Sequence, residues 1–282
     1  MITRNKPQLS VEAGAAPERK AESVTALLSK IEKDYAPAVF ASSFGAEDMV
    51  LLDLIVRFAP GIEVFTLDTG RLPEETYALM KRVSEHYGVK VRAYFPEARA
   101  VEEYVRQHGP NAFHDSVVLR KACCFMRKVE PLKRALKDKK AWITGMRREQ
   151  SMTRSDIHES EFDQDHGLHK FNPLYDWTEK EVWAYVRANN VPYNALHDKG
   201  YASIGCAPCT RAITPGEDIR AGRWWWENSD TKECGLHPDP HGVAVSAEAN
   251  VSKANVKGLK EPGRSQNAKN KECGLHRKSE AA

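Results

Sequence analysis

Four cysteines in two close pairs are the residues whose spacing most clearly suggests chemistry. Cys123 and Cys124 are adjacent, and Cys206 and Cys209 form a Cys-X-X-Cys pair. Zinc usually takes four thiolates from two Cys-X-X-Cys pairs, whereas adjacent side chains diverge and suit the separate irons of a cubane cluster. The pattern therefore favours a [4Fe–4S] cluster over zinc. Two buried cysteines beside an unrelated redox pair are the remaining alternative.

The other two cysteines lie in a hexapeptide that occurs twice, KECGLH at 232–237 and at 271–276. Gly235 gives the backbone beside Cys234 freedom to approach a ligand, and His237 can activate a thiol or contact a substrate. These features agree about equally well with catalytic roles for Cys234 and His237 and with an unreactive thiol. Cys273, in the second copy, is interpreted as a duplication relic; a redundant nucleophile and a resolving thiol are the other hypotheses.

A turn rich in serine and glycine joins the first predicted strand to its helix. Backbone N–H groups in such a turn, together with a helix N-terminus, attract an anion. The spacing matches neither the Walker phosphate loop nor the dinucleotide fingerprint. The predicted ligand-binding residues in this turn are Ser42, Ser43, Gly45 and Asp48, and a capped turn without a ligand is the alternative.

Polar side chains also follow other predicted strands, at the edge where open α/β sheets bind ligands. Asp68 and Arg71 come after the second strand and are candidates either for nucleotide binding or for a structural ion pair. Three arginines lie within eight residues after a later strand, and two of them, Arg147 and Arg154, are predicted to bind phosphate or sulfate through forked hydrogen bonds. A solvated basic loop is the alternative.

Three further cations are predicted near the cysteines or the substrate. Lys128 follows Cys124 closely and would approach both a cluster and a substrate if that segment is helical. Arg220 and Arg223 are three residues apart and can converge on one anion. The three consecutive tryptophans at 224–226 cannot all face one side, so at least one is predicted to belong to the core.

Strand-like and helical segments alternate between residues 18 and 189, which predicts a mostly parallel sheet with helices on both faces. Thr178 is the predicted N-cap of the last helix, with Glu181 three residues further on. The predicted strands are 38–42, 62–67, 89–94 and 141–144, and the predicted helices are 18–34, 48–58, 74–87 and 178–189.

Composition narrows the class of protein. The 282 residues are 41% hydrophobic and 29% charged, and no apolar stretch approaches the roughly 20 residues of a membrane helix. The first residues lack the apolar core of a secretory signal, so we expect a cytoplasmic protein. The net charge of +3 comes from residues 238–282, with eight Lys/Arg and five Asp/Glu. The rest of the chain is balanced, which argues against a nucleic-acid-binding surface.

Several motifs, in consistent order from Glu18 to His237, resemble those of the thioredoxin-dependent assimilatory adenylyl-sulfate reductases. They are SSFGAED, LDTGR, KACCFMRK, GMRREQSMTR, CAPCT and RWWWE followed by KECGLH. The resemblance implies a PP-loop fold of the adenine nucleotide α-hydrolase type, and a [4Fe–4S] cluster on the four paired cysteines. It also implies that Lys128, Arg220, Arg223 and His237 line the sulfate and phosphate groups of the substrate.

The same resemblance implies a reaction in two steps. Cys234 attacks the sulfur of adenylyl sulfate and AMP leaves, and thioredoxin then releases sulfite from the Cys234 S-sulfonate. The implied partners are therefore adenylyl sulfate and thioredoxin, and relatives of this kind often form homo-oligomers. Neither a nucleic acid nor a membrane is an expected partner.

Three other functions stay open at this point. Phosphoadenylyl sulfate is the close rival as substrate, although reductases of that preference typically lack the two cysteine pairs. A PP-loop ATP pyrophosphatase or thiolation enzyme shares the sheet but carries SGGxDS where this chain has SSFGAED. A non-catalytic metal-binding module is the third possibility.

The predicted organisation has four parts. Residues 1–17 are a flexible lead, 18–226 the reductase domain with the cluster site, and 227–237 a mobile catalytic segment. Residues 238–282 are expected to form a disordered tail, because this stretch is rich in Ala, Ser, Asn, Lys and Gly and poor in large apolar residues.

Overall fold

The computed structural model describes residues 16–150 and 156–227. The chain divides into two units, Met1–Val245 and Ser246–Ala282, and every described residue belongs to the first. Several predictions fall outside the described residues: the flexible lead, the mobile catalytic segment beyond residue 227, the disordered tail, and the roles of Arg154, Cys234, His237 and Cys273.

A six-stranded sheet in the order β3-β2-β1-β4-β6-β5 forms the centre of the fold. Every neighbouring pair is parallel except β5 and β6, which form an antiparallel pair at one edge. The mostly parallel sheet predicted from the alternating segments is confirmed. The strands are β1 Ala38–Ala41, β2 Glu63–Leu67, β3 Arg92–Tyr94, β4 Ala141–Ile143, β5 Ser160–Asp163 and β6 Leu168–Phe171.

Side chains that alternate along the central strands divide the core between two faces of the sheet. In β1, Phe40 packs with the helices α1, α2 and α7, whereas its neighbour Val39 packs with Leu132 of α6 on the other face. Helices therefore cover both faces, as predicted. The helices are α1 Ala16–Asp34, α2 Ala46–Phe58, α3 Glu74–Tyr87, α4 Ala98–His108, α5 Val117–Cys124, α6 Glu130–Leu136 and α7 Glu179–Ala188.

The predicted elements are found, with shifted ends in several cases. Thr178 is the N-cap of α7 and forms a capping box with Glu181, as the sequence predicts. The third strand is shorter than predicted because only its last three residues pair with β2. Helices α4, α5 and α6 and the β5–β6 hairpin were not predicted. Among the described residues, no helix combines the length and apolar character needed to cross a membrane.

Candidate active site

The sheet order reverses between β1 and β4. Ligands of open α/β sheets bind at such a switch point, in a crevice at the carboxyl ends of the strands. β1 and β4 are paired neighbours in parallel register, with Phe40 opposite Ile143. The loop that begins at Ser42 and the loop that begins at Thr144 therefore lie side by side at this edge.

The first loop is folded onto the start of α2. Asp48 accepts hydrogen bonds on Oδ2 from the backbone N–H of Ser43 at 2.6 Å and from its hydroxyl at 2.7 Å. Phe44, between them, is buried and adopts a left-handed backbone conformation with φ of 61°. Burial raises the pKa of Asp48 to about 6, although the hydrogen bonds from Ser43 act in the opposite direction. Asp48 thus holds the turn closed.

The loop after β4 approaches α2 very closely at Gly145. A Cβ atom at this position would lie 2.2 Å from Oδ1 of Asp48 and 3.3 Å from its backbone nitrogen. Thr144 is fixed on the other side, because its hydroxyl donates to Oδ1 of Asn172 at 2.6 Å. Only glycine allows the two loops to approach in this way.

Arg147 is placed at the crevice, but its guanidinium is already paired within the chain. It lies 2.8 Å from Oε1 of Glu47 and 2.9 Å from Oε2 of Glu149, and it donates to the carbonyl oxygen of Trp177 at 3.0 Å. Its side chain is 1% exposed. The predicted anion-binding role of Arg147 stays a prediction, and these contacts favour a structural role that joins the two loops.

The loop after β2 lies beside the first loop, since the backbone N–H of Ser42 donates to the carbonyl oxygen of Phe65 at 2.8 Å. Asp68 is buried, and its Oδ1 accepts from the backbone N–H of Gly70 at 2.8 Å and from the Tyr77 hydroxyl at 2.9 Å. Burial and the hydrogen bond to Asp68 raise the pKa of Tyr77 to about 12. Asp68 therefore shapes the turn; its predicted contact with a nucleotide stays a prediction.

The four paired cysteines lie together around one cavity, although Cys206 is 82 positions after Cys124 in the sequence. All four are buried. Phe113, Trp224 and the half-buried Tyr104 and Trp226 pack around them. The residues that line the cavity are Arg71, Phe113, Arg120, Cys123, Cys124, Arg127, Lys128, Cys206, Pro208 and Cys209.

One continuous helical stretch supplies half of this lining. α5 begins at the N-cap Ser116, whose hydroxyl accepts from the backbone N–H of Leu119, and it runs directly into a π-helical turn at Phe125–Val129. Counted from Arg120, the other lining residues of this stretch are three, four, seven and eight positions further on, which is the spacing of one helix face. Lys128 was predicted to approach the cysteines if the segment that follows them is helical, and this segment is helical. These residues are Arg120, Cys123, Cys124, Arg127 and Lys128.

Cations surround the buried thiols. Burial raises the pKa of Cys123, and Arg127 acts in the opposite direction. The pKa of Cys209 rises to about 12 because burial and the nearby Cys206 both disfavour a thiolate, whereas Lys128 and Arg223 favour one. A bound metal ion would hold coordinating thiols deprotonated, so these four cysteines need a cationic group to become thiolates together.

Within residues 16–150 and 156–227, no three His, Cys, Asp or Glu side chains are grouped so that they could hold a metal ion. The thiolates of an iron–sulfur cluster each bind a different iron, and they stand farther apart than four thiolates on one zinc ion. Four buried cysteines around one cavity form a thiol-rich donor set, and the metal group that they hold stays a prediction.

The loop after β2 connects the crevice with the cysteine cavity. The carbonyl oxygen of Thr69 accepts from Nη1 of Arg127 at 2.6 Å, and the Thr69 hydroxyl lies 3.2 Å from Sγ of Cys206. The carbonyl oxygen of Arg71 accepts from the backbone N–H of Ala207 at 2.8 Å. A ligand in the crevice would thus lie beside the cations that surround the thiols.

Arg71 itself faces the cavity rather than the first loop. Its guanidinium lies 4.9 Å from the ring centre of Phe113, and its Nη2 donates to Oδ1 of Asn111 at 2.9 Å. The structure therefore places Arg71 with Lys128 and the cysteines, while Asp68 of the same motif lies at the turn.

Arg220 and Arg223 belong to a loop that packs on the Cys-X-X-Cys turn. Nη1 of Arg223 lies 3.4 Å from the carbonyl oxygen of Ile204, and the backbone N–H of Trp224 donates to the carbonyl oxygen of Cys209 at 3.2 Å. The backbone N–H of Arg223 donates to the carbonyl oxygen of Arg220 at 2.9 Å, which closes the turn between them. Arg223 is therefore close to the cysteine cavity, and anion binding by either arginine stays a prediction.

The three consecutive tryptophans differ in burial, and one of them belongs to the core, as predicted. Trp224 is 2% exposed and belongs to the cluster of buried residues around the cysteines, whereas Trp225 is 41% exposed. Trp226 packs against the ring of His114 in a tilted arrangement, with 4.1 Å between ring centres.

Sequence reasoning missed four residues that line the cavity, namely Phe113, Arg120, Arg127 and Pro208. Arg120 is fully buried and pairs with Glu227, to which it donates through Nε at 2.9 Å and Nη2 at 2.7 Å. The spacing of Arg120 and Arg127 from the cysteine pair could have indicated them, because residues three or four positions apart lie on the same helix face. Phe113, far from any motif, gave no signal.

Together, the doubly covered parallel sheet, the reversal of its strand order and the adjoining cysteine cavity define an open α/β protein with a thiol-rich centre beside the carboxyl ends of its strands. The sequence profile of the phosphoadenosine phosphosulfate reductase domain matches residues 37–212. The chain belongs to the phosphoadenosine phosphosulfate reductase family.

Curated relatives support this placement. The chain is 56% identical over 237 residues to adenosine 5′-phosphosulfate reductase of Burkholderia cepacia, which covers 84% of this chain and 93% of that protein. It is 54% identical over 237 residues to the protein of the same name from Allochromatium vinosum, covering 84% and 91%.

Solved structures agree on the fold. Phosphoadenylyl-sulfate reductase from Candida auris, in a phosphate complex, matches with a TM-score of 0.58 and 27% identity over 73% of this chain and 100% of that chain. A variant of Candida glabrata FMN adenylyltransferase matches with a TM-score of 0.50 and 14% identity over 86% and 84%, a likeness of fold alone. The PP-loop fold expected from the motifs is confirmed.

Proposed function

We propose that this enzyme reduces adenylyl sulfate, also called adenosine 5′-phosphosulfate, to sulfite and AMP in sulfate assimilation. One observation carries the proposal: the loop after β2, at the carboxyl edge of the sheet, contacts the wall of a cavity in which four buried cysteines are surrounded by Arg71, Arg127 and Lys128. Relatives more than 50% identical over most of this chain bear the name of that reductase. A generic nucleotide-binding protein would not need the thiols.

In the first step, the thiolate of Cys234 attacks the sulfur of adenylyl sulfate. A bond forms between the two sulfur atoms, the bond from sulfur to the bridging oxygen breaks, and AMP leaves with that electron pair. The product is a Cys234 S-sulfonate. His237, three residues from Cys234, is assigned to substrate contact or thiol activation.

In the second step, reduced thioredoxin completes the reaction. One thioredoxin thiolate attacks Sγ of Cys234, and sulfite leaves with the electron pair of the sulfur–sulfur bond. The second thioredoxin thiol then resolves the mixed disulfide, so that Cys234 is regenerated and the dithiol has supplied both electrons.

Cations at the cavity reduce the repulsion between an anionic substrate and an attacking thiolate. Lys128 lies on the cavity wall, and Arg223 is near enough to Cys209 to favour its thiolate form. We assign Lys128, Arg220 and Arg223 to the sulfate and phosphate groups, where fixed positive charge stabilises the developing charge on the leaving phosphate oxygen.

We assign Cys123, Cys124, Cys206 and Cys209 to a [4Fe–4S] cluster, because their burial around one cavity and the surrounding cations fit a group with four anionic ligands. The cluster would supply a fixed charge beside the substrate and hold the two cysteine segments together. It is not assigned to electron transfer, since thioredoxin provides both electrons. A change in the oxidation state of the iron during a single turnover would contradict this assignment.

The choice between substrates is directly testable. A solved structure with 27% identity is named for phosphoadenylyl sulfate, whereas relatives with 54–56% identity are named for adenylyl sulfate. Sulfite formation with thioredoxin would be measured on both nucleotides at matched concentrations. We expect kcat/KM to be at least about 100-fold higher for adenylyl sulfate, a difference of about 2.7 kcal/mol. Equal or higher kcat/KM for phosphoadenylyl sulfate would overturn the assignment.

The four cysteines that the structure describes form no disulfide with one another, as a reducing compartment favours and a cluster site requires. We therefore place the enzyme in the cytoplasm. The formation of a homo-oligomer stays a prediction. Sedimentation-equilibrium ultracentrifugation of the cluster-loaded protein would give the number of subunits.

A further inference from the structure

Arg120 and Glu227 form a buried ion pair between two distant parts of the chain. Nε of Arg120 donates to Oε1 of Glu227 at 2.9 Å, and Nη2 donates to Oε2 at 2.7 Å. The side chains are 0% and 3% exposed. This bidentate geometry fixes both the distance and the orientation of the carboxylate.

Arg120 contacts the same chain segment at a second point. Its guanidinium lies 4.7 Å from the ring centre of Trp224, and Arg223 lies at the same distance from that ring. Trp224 has a left-handed φ of 42°, a conformation that a non-glycine residue keeps only when its surroundings hold it. Arg120 thus holds the turn at 224–227 through a stacked ring and a paired carboxylate.

The other end of this connection is the cysteine cavity. Arg120 lies on the cavity wall, three and four residues before Cys123 and Cys124, and its guanidinium donates a hydrogen bond to the Cys124 sulfur. The root of the segment that carries Cys234 is therefore fixed directly to the helix that presents two of the four cysteines.

Stability alone does not explain such a pair. Two charges buried in a protein interior lose their hydration, and apolar residues of similar volume often stabilise as well or better. A pair of this kind has its clearest use in fixing one arrangement. Glu227 is seven residues before Cys234, and seven residues span at most about 25 Å. The position of Glu227 therefore sets the region that the Cys234 thiol can reach.

We propose that Arg120 and Glu227 are positioning residues, which hold the root of the Cys234 segment against the cysteine helix so that the thiol meets the substrate in line. The inference rests on the proposed function, since it assigns the attack on adenylyl sulfate to Cys234. Loss of the pair lowers the rate of attack, because a misplaced nucleophile loses much of the advantage of proximity.

The test compares three changes in a Cys273→Ser background, so that sulfonation reports on Cys234. Glu227→Gln removes the charge and keeps the shape. Arg120→Met together with Glu227→Leu replaces the pair by apolar groups and leaves no unpaired buried charge. Tyr185→Phe is the matched control, since it removes a buried hydrogen bond of 2.6 Å to Asp53 in the core, away from the cavity.

Four quantities would be measured on cluster-loaded protein: iron per chain, AMP affinity, the rate of Cys234 alkylation by iodoacetamide, and the rate of S-sulfonate formation at saturating adenylyl sulfate by rapid quench and intact mass. In both pair variants, we expect sulfonation to slow by about tenfold or more. In Glu227→Gln, which keeps Arg120, iron content, AMP affinity and alkylation stay within about twofold of the parent, and Tyr185→Phe leaves all four unchanged. The sulfonation rate of the double variant is expressed per iron-loaded chain.

Three results would overturn the positioning role. They are sulfonation at the parental rate in the apolar double variant, sulfonation that falls only in step with iron content or alkylation, and an equal fall in the Tyr185→Phe control. Absence of S-sulfonate in the parent itself would reject the proposed function, and the positioning role with it.

Discussion

Gly145 lies directly against Asp48, so that a Cβ atom at position 145 would stand 2.2 Å from the carboxylate Oδ1. The loop after β4 and the start of α2 are thereby in contact at the crevice where the sheet order reverses. The two loops cannot move independently, because Arg147 of one is paired with Glu47 of the other.

Gly145→Ala should separate these loops. The added methyl group meets Asp48 and also Cβ of Glu47 at 3.1 Å, and overpacking of this kind costs about 1–3 kcal/mol. We expect a lower unfolding free energy in denaturant titration and weaker AMP binding by calorimetry. Gly61→Ala is the control, because the nearest atoms there all belong to the side chain of Glu32, which can move. Equal effects of both changes would contradict the assignment of the crevice.

The charge of Asp48 should make stability depend on pH. Burial raises its folded pKa from 3.8 to about 6, so the folded state favours the protonated carboxyl. The resulting stability is fully present below pH 3.8 and is lost as the pH rises through 6. Asp48→Asn should therefore raise the unfolding free energy by about 1–3 kcal/mol at pH 8, and by much less at pH 4.

Unfolding of the Asp48→Asn protein and its parent would be followed at pH 4, 6 and 8. A difference that does not change with pH would show that the substitution acts through packing or hydrogen bonds to Ser43 instead. AMP affinity measured on the same samples reports whether the Asp48 carboxylate also contributes to AMP binding.

Lys128 should matter for the reaction and not for the fold. Lys128→Met removes a cation from the cavity wall, and loss of one fixed group that stabilises developing charge typically costs about 100-fold in kcat. Lys133→Met is the control, since this exposed lysine of α6 lies over the ring of Phe125 at 5.5 Å and does not line the cavity. Steady-state kinetics would show unchanged kcat for Lys128→Met if its assignment is wrong.

The cysteine pairs should bind iron as one unit. Cys209→Ser is expected to lose the iron, inorganic sulfide and visible absorption of the protein, because a buried four-thiolate site missing one ligand holds a cluster poorly. Cys234→Ser and Cys273→Ser should keep all three signals. Stoichiometric zinc in place of iron in the parent would contradict the cluster.

Much of this architecture follows from patterns that are local in sequence. Thr178 and Glu181 predict the start of α7, and the alternating segments predict the parallel sheet, because capping and periodicity depend on neighbouring residues. The β5–β6 hairpin was missed because its strands, SEFD and LHKF, are rich in polar residues and contain no continuous apolar run.

The sequence predicted which residue types form the site, but it did not predict which side chains pair with one another. The spacing of the cysteines indicated a shared site, and the structure brings all four to one cavity. The pairing of Arg120 with Glu227 depends on a contact across 107 residues, for which a single sequence carries no signal. Likewise, the basic loop at Arg147 suggested anion binding, whereas its partners Glu47 and Glu149 are visible only once the chain is folded.

In the proposed mechanism, Cys234 attacks the sulfur of adenylyl sulfate. Intact-mass analysis after incubation with adenylyl sulfate, without any reductant, tests it most directly. We predict that the parent and Cys273→Ser proteins each gain one sulfonate, located on Cys234 by peptide mapping, and that Cys234→Ser gains none. Sulfonate on Cys273, together with sulfite production that survives Cys234→Ser, would contradict the account.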